Sequence, residues 1–126
     1  MAPKERYTEA QRLDVIRLMD RIYQSERHLG ARDVIDVLIL RTIAMGKMES
    51  RPMDVSSLSY YLGLSRQTVG RRIKGLQDQG AVVVETKGRR HELFNSEQNR
   101  ARSIGNLDRA IDEIRDFVCE LEQEAK

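Results

Sequence analysis

The chain has 126 residues, 33% of them charged and 40% hydrophobic, with a formal net charge of +2. That length suits one domain, and that balance is too apolar for a disordered tail and too interrupted for a membrane span. A single cysteine, Cys119, and two distant histidines, His28 and His91, exclude a disulfide framework and a multi-thiolate zinc site, so neither metal nor cofactor is expected.

The N-terminus runs Met1-Ala2-Pro3-Lys4-Glu5-Arg6 into a charged segment without an apolar core of signal-peptide type, so a cytoplasmic location is the expectation. Residues 1–50 hold nine Lys/Arg against eight Asp/Glu, residues 51–95 eight against four, and residues 96–126 five against eight, giving +1, +4 and −3. Within positions 65–90 seven cations face only Asp78 and Glu85, the footprint of a polyanion-binding face.

Thr8 and Gln11 fit a capping box, and Leu13, Val15, Ile16, Leu18, Met19, Ile22 and Tyr23 recur at helical intervals until Gly30, which predicts a first helix over about 8–28. Residues 31–48 are apolar on nearly every side, from Val34 to Met45, and too long for one strand, which predicts a buried second helix as the core rod. Pro52 closes it.

From Asp54 the pattern is helix, tight turn, helix, strand. Leu58 and Leu62 are spaced for a short helix, Gly63 for the turn, Leu64 for the corner, and Ser65 for the cap of the next helix, expected over 66–79. At about 100° per residue, Val69, Ile73 and Leu76 fall within an arc of about 60°, with Gln67, Gly70, Arg71 and Lys74 on the other side. Gly80 ends this helix. Residues 82–86 and about 90–95 flank Lys87-Gly88-Arg89 and read as a hairpin with a basic tip, a wing.

A helix-turn-helix places its second helix in the major groove of DNA. Arg66, Gln67 and Arg71 suit base edges, Ser65 and Thr68 a phosphate at the positive helix end, and Lys74 and Arg72 further phosphates. Gly70, at a helix-interior cost of roughly 0.8 to 1 kcal/mol relative to alanine, suggests close approach to DNA. Lys87, Arg89 and Arg90 extend the basic surface to the wing. Tyr60 and Tyr61 could contact a phosphate through their hydroxyls or brace the short helix against the core rod.

After Ser96, Ile104, Leu107, Ile111, Ile114, Val118, Leu121 and Ala125 are spaced 3, 4, 3, 4, 3, 4, a heptad seam on a terminal helix. Ala110 and Phe117 widen it on one flank. Ile104, Leu107, Ile111, Ile114, Val118 and Leu121 are therefore expected to form a dimerisation surface in an intersubunit bundle, the alternative being contact with the first two helices. Cys119 beside Phe117 and Val118 is expected to be a buried structural thiol, and Asp112, Glu113 and Asp116 a merely solvated acidic face.

Residues 55–82 resemble the winged helix-turn-helix of the MarR family of bacterial transcription regulators. Val55, Ser56, Leu58, Leu62, Gly63, Leu64, Ser65, Thr68, Val69, Arg71, Ile73, Leu76, Gly80 and Val82 stand in the places of that family's pattern. Ser59 replaces its usual alanine, the wing reads Glu85-Thr86-Lys87-Gly88-Arg89-Arg90 in place of Asp-x-Arg, and one terminal helix stands where two are common. The resemblance implies a homodimer on a pseudo-palindromic operator, with the terminal helices dimerising and the wing tips at the minor groove.

The expected fold is mainly α with a β-hairpin wing: N-terminal helices over 1–50, a winged helix-turn-helix over 51–95, and a dimerisation helix over 96–126. The expected function is sequence-specific binding of double-stranded DNA as a homodimeric repressor; a winged-helix protein-interaction module is the alternative. No nucleophile elbow, paired catalytic carboxylates or phosphate-cradling glycine loop argues for an enzyme. The sequence leaves a small-molecule effector open.

Overall fold

The structure, a computed structural model, describes residues 5–27 and 30–125. The elements are α1 (Glu9–Arg27), α2 (Val34–Met48), α3 (Val55–Leu62), α4 (Arg66–Asp78), β1 (Val82–Lys87), β2 (Arg90–Asn95) and α5 (Glu97–Glu124). His28 lies outside the described residues.

A side-chain cap sets the start of each of the five helices among the described residues. The Thr8 amide donates to Gln11 Oε1 at 2.9 Å while the Gln11 amide donates to Thr8 Oγ1 at 3.1 Å, the capping box expected of that pair. Asp33, Asp54, Ser65 and Ser96 cap α2, α3, α4 and α5 by accepting the amide three residues on, and at Asp54 the Ser57 hydroxyl completes a second capping box. Helix α2 thus begins at Val34, three residues later than its apolar run, because Asp33 is the cap. At Asp54 burial opposes ionisation, but the hydrogen bonds from Ser57 and the charge of Arg90 hold its carboxyl below the ordinary range.

Helix α2 is the rod around which the core forms. Val37, Ile39, Leu40 and Ile43 are buried in one cluster with Leu58 of α3, Val69, Ile73 and Leu76 of α4, Val82 of β1 and Leu93 of β2. The hairpin follows from alternation: Val82 is buried and Val84 packs on the core, while Val83 points out. Its register pairs Val82 with Asn95 and Lys87 with Arg90, leaving a two-residue turn in which Gly88 takes a φ of +60°. Lys87 therefore belongs to the end of β1. A third strand is reduced to one bridge, where the Leu93 amide donates to the Met53 carbonyl at 2.8 Å.

Helix α5 returns along α1. Its inward flank is Ser103, Asn106, Ala110, Glu113, Phe117 and Leu121, all partly or fully buried. Buried Asn106 donates to the Ser25 carbonyl at 2.8 Å, and Glu113, expected to be solvated only, meets Arg21 of α1 at 3.4 Å. The heptad seam is about 100° further round, and Ile104, Leu107, Ile111, Ile114 and Val118 remain exposed. Leu121 leaves that seam for the α1 side, where it lines a groove with Tyr7, Val15 and Phe117. A 3-4 spacing slips about 20° per heptad on a straight helix, which carries the last member toward α1.

Cys119 is exposed, not buried as expected. It projects roughly 160° from the flank that meets α1, so neither the neighbouring helix nor the seam covers it. Among the described residues no helix is long and apolar enough to cross a membrane.

Candidate nucleic-acid interface

The turn between α3 and α4 requires a residue at φ +69°, and Gly63 provides it. Leu64 then packs on the core from the corner, and Ser59, in the place of the usual alanine, donates its hydroxyl to the Leu64 carbonyl at 2.5 Å. The serine thus fastens the turn.

Ser65 starts α4 by accepting from the Thr68 amide at 3.1 Å and donating to Thr68 Oγ1 at 2.9 Å. Val69, Ile73 and Leu76 are buried, so the opposite flank is forced outward: Arg66, Gln67, Arg71 and Lys74 are exposed. Among the described residues no carboxylate lies within ion-pair distance of Arg66, Arg71 or Lys74. Three uncompensated cations along one flank of the helix, with Arg66 at its N-terminus, make a positive surface. Gly70 shares it, and a Cβ there would meet nothing within 4 Å, so the chain's own packing gives no reason for glycine.

The helix ends in a double hydrogen bond, Gly80 amide to Gln77 carbonyl at 2.9 Å and Ala81 amide to Leu76 carbonyl at 2.9 Å, which turns the chain into β1. The wing carries Lys87, Arg89 and Arg90, all exposed, but they differ in partners. Lys87 lies 3.6 Å from Glu92, whose side chain is largely buried. Arg90 donates to the Pro52 carbonyl at 2.8 Å and lies 3.4 Å from Asp54, so it ties the wing to the start of α3. Arg89, in the turn, has no carboxylate within ion-pair distance among the described residues.

Arg72, expected to suit a phosphate, is instead engaged within the chain. It lies about 60° from the centre of the buried stripe, where it turns toward α2 and contacts Asp33 at 2.7 Å and Asp36 at 3.4 Å. The hydrogen bond with Arg72 holds the Asp33 carboxyl below its ordinary range, and the same bond raises Arg72. Gly75, between the two faces of α4, accommodates Arg32, whose Nη2 would lie 2.9 Å from a Cβ at that position. Sequence reasoning missed Arg32, Asp33 and Asp36, because their partners lie up to 39 positions away.

Tyr61 donates to Met45 Sδ of α2 at 3.7 Å and so braces α3, whereas Tyr60 is 92% exposed. His91 lies on the wing with Nδ1 3.2 Å from the Thr86 hydroxyl. Between α1, α2 and α5 there is a cavity of about 540 Å³ whose lining includes Ile22, Leu40, Met45, Leu107 and Ile114. At its edge Arg41 is held bidentately by Glu26.

No protein-family model matches the chain, and no curated protein matches it. Solved structures do. MepR, a transcription regulator of the Staphylococcus aureus multidrug efflux pump MepA, is 11% identical with a TM-score of 0.64, over 94% of this chain and 88% of that one. A MarR/EmrR family transcriptional regulator from Acinetobacter sp. ADP1 is 17% identical with a TM-score of 0.59, over 90% and 79%. The homodimeric winged helix-turn-helix DNA-binding domain of Mb0332 from Mycobacterium bovis, a possible ArsR-family regulator, is 18% identical with a TM-score of 0.53, over 90% and 92%. At these identities what is shared is the path of the backbone, and it is shared over nearly the whole chain: the protein has the winged helix-turn-helix fold.

Proposed function

We propose that the protein is a sequence-specific regulator of transcription that binds double-stranded DNA as a homodimer, and that it acts as a repressor on a pseudo-palindromic operator. The observation that carries this reading is the outward flank of α4, where Arg66, Arg71 and Lys74 are exposed and free of ion pairs among the described residues. An unmatched cationic helix face opposite a buried apolar one suits the major groove, with Gln67 and Arg71 toward base edges and Ser65, Thr68 and Lys74 toward phosphates. Open space at Gly70 supports close approach of that helix to DNA. Arg89, with Lys87, is suited to the flanking groove, and Arg90 serves mainly to hold the wing in place.

The exposed row Ile104, Leu107, Ile111, Ile114 and Val118 supports a second copy of the chain as the dimer partner, since a lone soluble chain gains nothing from a continuous apolar stripe. The cavity between α1, α2 and α5, which shares Leu107 and Ile114 with that row, has the size and lining for a small apolar effector. Selection of duplexes from a random pool, followed by titration across a salt series, tests the function. A regulator enriches a sequence with two related half-sites and loses affinity steeply with salt. Absent or salt-independent duplex binding overturns the reading and favours a protein-interaction module.

A further inference from the structure

Not every cation on α4 is available to DNA, and the exception forms a closed network. Arg72, whose side chain is 25% exposed, uses a single nitrogen, Nη1, to reach Asp33 Oδ1 at 2.8 Å, Asp33 Oδ2 at 2.7 Å and Asp36 Oδ1 at 3.4 Å. The Asp36 side chain is fully buried, and its second oxygen accepts from the Arg32 amide at 2.9 Å and from Arg32 Nε at 3.2 Å. Asp33 also accepts from the Asp36 amide at 3.2 Å as the cap of α2. Arg32 completes the circuit by lying against Gly75 of α4.

The network adds to what the core supplies. Val69, Ile73 and Leu76 hold one face of α4 against the core by packing, and the ion pairs add a directional restraint on its rotation about its own axis. Charge-assisted hydrogen bonds to a buried carboxylate are directional, and breaking one leaves an unmatched buried charge. Rotation of α4 would carry Gln67 and Arg71 sideways by the same angle. We infer that Arg72 is a positioning residue for base reading: Asp33 and Asp36 hold it, it sets the rotation of α4, and it touches no phosphate. This rests on the DNA-binding reading above.

The test uses the full chain with Arg72→Met, Arg72→Lys and Asp33→Asn, the last of which keeps a good helix cap. Each is titrated with the duplex selected by the wild type and with a random duplex, across a salt series, with thermal unfolding measured alongside. Arg72→Met and Asp33→Asn are expected to lose about tenfold on the selected duplex while holding the random one within about twofold, with the salt slope unchanged. Arg72→Lys retains most of the preference, because one ammonium can replace the one nitrogen that makes all three contacts.

A phosphate contact predicts otherwise: Arg72→Met would weaken both duplexes alike and lower the salt slope by about one, and Asp33→Asn would tighten both. Either result overturns the inference, as does an unchanged preference in Asp33→Asn. If Arg72→Met does not fold, Asp33→Asn and Arg72→Lys decide. A wild type without salt-dependent duplex binding sinks the DNA-binding reading and this inference together, whereas a binding wild type with an indifferent Asp33→Asn sinks this inference alone.

Discussion

Helices α4 and α5 each bury one flank and leave another uncovered, but the uncovered surfaces differ in kind. On α4 it is cationic, with Arg66, Arg71 and Lys74. On α5 it is apolar, with Ile104, Leu107, Ile111, Ile114 and Val118. A charged flank is stable in water by itself, and what it attracts is an anion at a distance. An apolar flank gains only by being covered, which favours a partner matched in shape and equally apolar. One chain therefore carries two separable uncovered surfaces, proposed above to meet DNA and a second copy of the chain, and breaking them separately sharpens the contrast.

The largest effect is expected at the apolar surface. Ile111 is 53% exposed, so Ile111→Asp should leave the chain folded yet place a carboxylate in the dimer seam, at a cost on the order of 3 to 5 kcal/mol. Sedimentation should then report monomers with unchanged helical circular dichroism; an undisturbed dimer would remove the seam from the interface. Beneath the cationic flank, Leu76 is fully buried, and Leu76→Ala should lower unfolding stability by about 2 to 5 kcal/mol in a denaturant titration without altering assembly of the folded fraction.

On the cationic flank, Arg71→Ala is expected to cost about 1 to 3 kcal/mol in duplex affinity and to relax preference at one base pair, whereas Arg89→Ala should weaken all sequences similarly. Equal loss on every sequence for both variants would deny Arg71 its base-reading role. The smallest effect concerns acid. Because the folded-state carboxyl of Asp33 titrates below its ordinary value of 3.8, its stabilisation is present above that pH and is lost as pH falls through the lower folded-state value. Acid unfolding should accordingly be less steep in Asp33→Asn, and an identical acid limb would mean that the ion pair contributes nothing to stability.

Much of the molecule was legible in the sequence because helical periodicity and caps are local. The Thr8–Gln11 box, the Ser65 cap, the Gly63 turn and the division of α4 into buried and basic flanks all follow from residues within a few positions of each other. The strand at Met53 left no signal, since a single bridging residue has no alternation to read. Cys119 was misplaced for a related reason: an apolar neighbourhood in sequence is not one in space when adjacent residues on a helix point about 100° apart.

Composition and spacing by themselves determined that this chain is helical, that it carries a winged helix-turn-helix, and that one of its helices is apolar on one side and cationic on another. Only the tertiary structure decided which cations remain available, because an ion pair such as Arg72 with Asp33 joins residues 39 positions apart. It also decided that α1 covers the Ala110 and Phe117 flank of α5 and leaves the heptad row bare. The reason is common to both: side-chain pattern sets which faces exist, but the packing of distant elements sets which of those faces meet.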